Sequence, residues 1–173
     1  TIQGSKSDDG LNIKNSEVLI VSSKFINNSF DQIDLDYCFG KVSNNLFSIE
    51  SNTILEGGDG LDLSGSRIII ESNKFQNFKD KALSIGEKSK ALIDNNEIIE
   101  NNIGIAVKDG SSVYVLSNAY QNNNVNHNLF IKKPFYRNPS LYSSEEVLDG
   151  KMIIDQGDFF PKSKEDLLSE FNA

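Results

Sequence analysis

DGLDLSGSRIIIESNKF, residues 59–75, is the stretch whose reading decides the fold. Leu61 and Leu63 alternate with Asp62 and Ser64, so this short strand buries one face and shows the other to water. Four more segments repeat its outline: DGLNIKNSEVLIVSSKF from Asp9, DQIDLDYCFGKVSNNLF from Asp31, KALSIGEKSKALIDNNEI from Lys81 and IGIAVKDGSSVYVLSNAY from Ile103. Their starts lie 22, 28, 22 and 22 residues apart, with the extra residues around Ser48–Gly58. Each segment reads as two or three short strands with no helical periodicity between them. A strand repeat of this length predicts a solenoid in which one segment makes one coil and equivalent residues stack about 4.8 Å apart.

The stacking assigns columns. Leu11/Ile33/Leu61/Leu83/Ile105 and Ile13/Leu35/Leu63/Ile85/Val107 point inward, as does Phe25/Phe47/Phe75/Ile98/Tyr120. Two residues before each member of that third column stand Ser23, Asn45, Asn73, Asn96 and Asn118. A side-chain amide repeated at strand spacing donates to one neighbour and accepts from the other, so it can line an interior turn with its hydrogen bonds met. The alternative is an amide row facing a sugar. The cost of burying an unpaired amide favours the structural ladder.

The composition agrees. The chain has 173 residues, 38% of them hydrophobic, and holds 21 Asn and 22 Ser beside 19 Ile, too many regularly placed aliphatics for a disordered chain. This is enough for one domain. No apolar run approaches the roughly 20 residues of a membrane-spanning helix. The net charge of −8 argues against nucleic acid as a partner, because phosphate is repelled. Cys38 is the single cysteine, so there is no internal disulfide.

The phrases DQIDLD, GDGLDLSGS, KALSIGEKS and GIAVKDGS resemble right-handed parallel β-helix repeat proteins of the pectate-lyase superfold. They resemble in particular uncharacterised bacterial β-helix domains, including ones attached to spore-coat-type kinase homologues. The resemblance covers about residues 9–133. It implies an all-β, right-handed, single-stranded parallel β-helix. For function it implies little, because that superfold hosts lyases, hydrolases, epimerases, adhesins and passive scaffolds.

The expected organisation is β-helix coils over residues 1–133 and an irregular cap over 134–173. Leu129 and Ile131 are expected inward, and Pro134 and Pro139 break the pattern. Asp149-Gly150 reads as a turn. SKEDLLSEF, 163–171, reads as a short helix with Ser163 as N-cap, Asp166 completing a capping box, and Leu167, Leu168 and Phe171 as its apolar stripe. The cap is expected to close the solenoid's end. At the other end TIQGSKS is too short for a cap, and the chain begins with Thr1 rather than Met. The expectation is a piece of a longer protein whose N-terminal coil packs on another domain or subunit.

The chemistry-bearing residues gather on one strand face. Asn12/Asp34/Asp62/Ser84/Ala106 and Lys14/Asp36/Ser64/Gly86/Lys108 form two outward columns, with Lys132 continuing the second. Asp34 and Asp62 would stack about 5 Å apart, unfavourable unless a cation, a shared proton or a lysine offsets them. Asp9, Asp31 and Asp59 head the same coils at the preceding corner. Three readings stay open. Asp34, Asp36 and Asp62 hold calcium, which takes hard oxygen ligands. They work as a carboxylate pair on a polysaccharide. Or they form a solvated face on which Lys14 pairs with Asp36. No other cofactor is called for.

Enzymes of the resembled superfold carry further motifs. Gly57–Leu63 matches the Asn-Thr-Asp-Gly-type motif of polygalacturonases only at Asp59-Gly60 and Asp62. Their Asp-Asp, Gly-His-Gly and Arg-Ile-Lys motifs have no counterpart in matching positions, since Asp8-Asp9 lies in the wrong order. The Asp-Pro-His-Asp motif of alginate epimerases is absent. A lyase needs an arginine or lysine beside calcium, and Arg67 follows a turn. A basic cluster of Lys108, Lys132, Lys133 and Arg137 with Tyr136 and Tyr142 is either a sugar contact or a solvated edge. His127 reads as a turn residue where the repeat slips out of register, and Cys38 as a passive thiol. The functional expectation is a module of a secreted or cell-envelope protein binding carbohydrate or a protein partner through Asn12, Asp34, Asp36, Asp62, Ser64, Lys108 and Lys132. The alternatives are a polysaccharide-active enzyme on the same face and a passive structural or adhesin rod.

Overall fold

In the computed structural model, which describes residues 1–50, 57–145 and 151–173, the chain winds as a right-handed parallel solenoid of about seven coils. The centre of the Ser48–Gly58 insertion and the Asp149-Gly150 turn lie outside the described residues. Each full coil gives one strand to each of three parallel sheets. The acidic sheet holds Asn12–Lys14, Ile33–Asp36, Leu61–Ser64, Lys81–Gly86, Ile103–Lys108, Val125–Phe130 and Met152–Ile154. The helix-bearing sheet holds Glu17–Val21, Phe39–Ser43, Arg67–Glu71, Lys90–Asp94, Ser112–Val115, Ser140–Ser143 and Asp158–Pro161. The phenylalanine sheet runs from Ile2–Gln3 through Lys24–Ile26, Leu46–Ser48, Lys74–Gln76 and Glu97–Ile99 to Ala119–Gln121.

The registers are those the repeat predicts: Ile33 pairs with Leu61, Leu61 with Leu83 and Leu83 with Ile105. From the second coil onward these inward side chains are fully buried. Burial of each such leucine or isoleucine contributes roughly 1.5–3 kcal/mol. Phe25, Phe47 and Phe75 stack with ring centroids 5.2 and 4.5 Å apart, and Ile98 continues the column. At the first coil Ile2, Leu11, Ile13 and Ile20 are only partly buried.

Polar ladders run up all three corners. Asn45 donates both its backbone N–H and its Nδ2 to Asn73 Oδ1, each at 3.0 Å, and Asn73 repeats this to Asn96 and Asn96 to Asn118. A second amide ladder runs from Phe78 N–H through Asn101 to Asn123. The third is built of hydroxyls: Cys38 N–H donates to Ser66, Ser66 N–H to Ser89 and Ser89 N–H to Ser111. Cys38 occupies a serine position in that ladder, its thiol donating to the Ile13 and Asp36 carbonyls. Six of the 21 Asn and three of the 22 Ser stand in these ladders.

Each corner also takes a left-handed residue. After the acidic sheet these are Asn15, Tyr37, Gly65, Glu87 and Asp109. The repeat imposes this conformation even on Tyr37, Glu87 and Asp109, where a side chain costs about 1–2 kcal/mol.

His127 departs from the expected turn. It lies inside a strand, paired with Ile105, so it is the next member of an inward column. It is buried, with Nε2 2.9 Å from the Tyr120 hydroxyl. Burial holds its pKa down at about 4, so it is neutral in the fold. The polar partner supplied by Tyr120 is what allows an imidazole where the earlier coils place isoleucine or leucine. Ile131 lies just past that strand rather than inward, while Leu129 is buried as expected.

The segment after residue 133 also departs from an irregular cap. Ser140–Ser143 and Asp158–Pro161 continue the helix-bearing sheet in parallel, and Met152–Ile154 continues the acidic sheet. The helix, Lys164–Asn172, does not plug the end. It lies on the outer face of its sheet, where Ile69, Leu92, Tyr114 and Tyr142 make an outward apolar column that needs cover. Leu167 and Phe171 are buried there. Arg67 and Lys90 donate to the Phe171 and Glu170 carbonyls, satisfying the negative end of the helix. Ser163 caps the other end, accepting from Asp166 N–H at 3.2 Å and donating to its carboxylate at 2.8 Å. Ser163→Ala is expected to destabilise the helix by about 1 kcal/mol. Hydrogen exchange checks this: the helix amides should lose protection while the coil amides keep theirs.

Candidate acidic site

Two coils bring four aspartates to one place. The corner before the acidic sheet carries Asp9, Asp31 and Asp59 in a column, with Asp9 bridged to Asp31. Three residues on, the strands carry Asp34 and Asp62 directly opposite each other. One carboxylate oxygen each from Asp31, Asp59 and Asp62 lies within 4.8 Å of the other two. Asp59 N–H donates to Asp31 Oδ1 at 2.6 Å and fixes that carboxylate. Lys81, next up the column, donates to Asp59 from both its backbone N–H and its Nζ.

Two lysines offset part of the charge, Lys81 Nζ at 3.1 Å from Asp59 Oδ1 and Lys108 Nζ at 3.7 Å from Asp62 Oδ1. Burial, opposed by the hydrogen bond from Asp59 and reinforced by neighbouring carboxylates, pushes Asp31 up to about 7. Burial together with Asp36 and Asp62 pushes Asp34 up to about 7. Burial also raises Asp59, with Lys81 acting against it. Asp62 Oδ1 is buried and accepts no hydrogen bond from the described residues. The nearest cation is Lys108, whose Nζ is 3.7 Å away and donates to Ser84 Oγ at 2.6 Å. Lys108 reaches back over Gly86, where a Cβ would stand 3.2 Å from its Cε.

The trio anticipated from the sequence is thus redrawn. Asp62 stays at the centre. Asp36 turns to Lys14, and Asn12 donates to Asp34. Asp31 and Asp59 take the places of Asp36 and Asp34 in the tightest cluster. The signal that marks them is the spacing Asp-x-x-Asp, present in both DQID and DGLD, which sets a corner carboxylate beside a strand carboxylate. Ser64 follows Asp36 in its column. Lys108 continues that column, but Phe130 pairs with Lys108 and takes the position expected for Lys132. Lys132 lies beyond the strand, its backbone N–H donating to Asp109.

The basic cluster is dispersed. Lys133 pairs with Glu87, and the Tyr136 hydroxyl lies 3.5 Å from the same carboxylate. Tyr142 lies under Phe160 and Tyr114 on the helix-bearing sheet. Arg67 is engaged with the helix on that same face, away from Asp62.

Chemically, the site offers several hard carboxylate oxygens with Lys81 and Lys108 beside them. That donor set fits a hard divalent cation with oxygen ligands. Among known proteins, a family model described as "Right handed beta helix region" matches residues 1–135. No curated protein and no solved structure matches the chain.

Proposed function

The chain belongs to the right-handed β-helix family, and from that premise we propose that it is a binding module which takes calcium on its acidic sheet and holds a carbohydrate there. The observation that carries this reading is the convergence of Asp31, Asp59 and Asp62 to within 4.8 Å. Calcium prefers six to eight oxygen ligands, so three or four aspartates leave positions for water and for sugar hydroxyls. When bound, the ion offsets the repulsion among these carboxylates and gives a ligand oxygen a place to bind. Asn12, Ser64 and Ser84 flank it as hydrogen-bonding groups, and Lys108 meets negative charge on a ligand. An open site of this kind binds weakly, in the range of about 10⁻⁴–10⁻³ M typical of extracellular modules. The setting that suits such a site is secreted or cell-envelope, where calcium is millimolar. In the same reading the partly buried Ile2, Leu11 and Ile13 of the first coil pack on another domain or subunit.

The test is thermal melting with millimolar calcium and then with chelator. Calcium is expected to raise the midpoint of the wild type by several degrees and to leave Asp62→Asn unmoved. Equal midpoints with calcium and chelator in the wild type would remove the metal reading. A glycan array in calcium, on which hits disappear with chelator, tests the carbohydrate. Hits to protein partners alone would replace it. Catalysis on the same face is the second reading, since burial pushes the Asp31 and Asp34 carboxyls up to about 7, where a carboxyl can serve as acid or base. Turnover of uronate polymers by the wild type, lost in Asp62→Asn, would establish that reading.

A further inference from the structure

The corner after the acidic sheet carries a cavity that the aspartate cluster does not use. Its volume is about 360 Å³, and Lys88, Gly110 and Arg137 line it. Two tight turns on successive coils build this corner. In the first, Glu87 and Lys88 are left-handed and Ser89 N–H closes on the Gly86 carbonyl at 3.1 Å. In the second, Asp109 and Gly110 are left-handed and Ser111 N–H closes on the Lys108 carbonyl at 3.1 Å. Lys88 N–H is spent on the Asp109 carbonyl of the next coil. Gly110 holds the same place one coil later, but there Lys132 and Lys133 turn their N–H groups to the Asp109 carboxylate instead of continuing the turn column. Gly110 N–H donates to no described residue. A Cβ on Gly110 would stand 3.6 Å from both Lys88 Cγ and the Arg137 carbonyl oxygen.

Charge at this corner is unbalanced. Lys88, Lys132, Lys133 and Arg137 face only Glu87 and Asp109 among nearby acids. Asp109 is buried and holds the two backbone N–H groups at 2.8 Å. Glu87 is taken by Lys133, with the Tyr136 hydroxyl 3.5 Å from its other oxygen. Lys88 and Arg137 pair with no carboxylate among the described residues. Lys88 Nζ lies 5.7 Å from the centre of the Tyr136 ring. Phe135 leans on that same ring, centroids 4.7 Å apart, yet is 77% exposed.

We propose that this cavity binds a phosphate monoester, its dianion held by Lys88, Arg137 and the Gly110 N–H and its organic group laid on Phe135. Two unpaired cations match two negative charges, and hydrogen bonds between ionised partners are the strong ones. An unspent turn N–H is a further donor of the kind that binds anions. The exposed Phe135 gives the ester's apolar part a surface beside the charges, which a bare ion would leave unused. A long polyanion is disfavoured, because the chain around this small basic spot carries a net charge of −8. None of these residues belongs to the aspartate cluster, so the inference stands apart from the calcium reading.

The experiment titrates the intact protein, free of calcium, with phenyl phosphate, inorganic phosphate and phenyl sulfate, followed by amide chemical shifts. Phenyl phosphate is expected to shift Lys88, Gly110 and Arg137 at millimolar concentration. Phenyl sulfate has the same shape and one charge fewer, and should bind about tenfold more weakly. Inorganic phosphate should also bind more weakly, by several-fold. Lys88→Gln/Arg137→Gln changes two exposed side chains. It should keep the melting midpoint within a few degrees and lose about tenfold or more in phenyl phosphate affinity. Phe135→Ala should bring phenyl phosphate down to the affinity of inorganic phosphate. Asp62→Asn should bind as the wild type does. No shift at Gly110, equal binding of phenyl sulfate, or unchanged binding in the folded double variant each overturns the proposal. Inorganic phosphate binding as tightly as phenyl phosphate overturns the ester and makes the ligand the free ion.

Discussion

Asn73→Ala is expected to cost about 3–4 kcal/mol of stability, although it removes no apolar contact of any size. Asn73 Oδ1 accepts from both the backbone N–H and the Nδ2 of Asn45, and its own Nδ2 donates to the Val42 carbonyl at 2.9 Å and to Asn96 Oδ1 at 3.0 Å. Asn73 is 2% exposed, so water does not replace these bonds. The variant leaves the Asn45 backbone N–H buried without a partner and strips the Val42 carbonyl, which stays in the sheet ladder, of its second donor. Such an orphan costs about 1–3 kcal/mol, whereas an ordinary exposed hydrogen bond costs a fraction of that. Coils contact only their neighbours, so one missing rung weakens the interfaces on both sides of it. The control is Asn44→Gly, one residue earlier, exposed and with left-handed backbone at φ 56°, expected to cost well under 1 kcal/mol. Thermal melting resolves the two. The interior variant should lose about 10 °C, at roughly 2–4 °C per kcal/mol for a chain of this size. Equal losses for the two variants would show that the ladder carries no special energy.

That contrast also explains how much of the molecule was legible beforehand. The columns through Leu61, Leu63, Phe75 and Asn73 could be read because a strand alternates with period 2 and the coil repeats at about 22 residues. Those two periods fix which side chains face inward and which stack. What escaped was set by contacts without a period. His127 sits in an inward column, but its partner Tyr120 is a corner away along the same coil, so neither residue announces the pair. The helix was legible as a helix from Ser163, Leu167 and Phe171. Its position was not, because it is chosen by the outward apolar column Ile69, Leu92, Tyr114 and Tyr142 on other coils. That column is visible only once outward positions are read for hydrophobicity as inward ones are. At the acidic site Asp62 and its neighbour Asp34 followed from the register. The participation of Asp31 and Asp59 depended on how the corner turns, which alternation does not specify.

The same corner governs the pH response, and Asp31→Asn is expected to raise stability at pH 8 by about 2–4 kcal/mol in calcium-free buffer. In the fold Asp31 titrates near 7 against an ordinary 3.8, because it is largely buried among other carboxylates. The native state therefore binds a proton that the unfolded chain releases. Stability contributed by that proton is present at acid pH, falls as pH rises between about 4 and 7, and is gone above 7. A shift of this size corresponds to roughly 4 kcal/mol as an upper bound for a single group. Asp34 and Glu145, also raised to about 7, act in the same direction. His127 acts oppositely. It is neutral in the fold with a pKa near 4, so its contribution is intact above about 6.5 and is lost as pH falls from there toward 4. With three raised carboxyls against one lowered imidazole, the wild type should be most stable near pH 4, lose stability steadily as pH rises to about 7, and be weaker at pH 8. Asn at position 31 keeps an oxygen for the Asp59 N–H, which is why removing the charge should not remove the corner. The advantage of Asp31→Asn should shrink steadily as pH drops toward 4, where the wild-type carboxyl is neutral in both states. Millimolar calcium should narrow the difference at pH 8 by about 1 kcal/mol, because the ion needs the carboxylates that protons occupy. It should stabilise the wild type, leave Asp31→Asn nearly unmoved and bind more tightly as pH rises from 6 to 8. A destabilising Asp31→Asn at pH 8 without calcium would mean that the carboxylate already has a stabilising partner. The acidic corner would then be a satisfied turn rather than a site waiting for a cation.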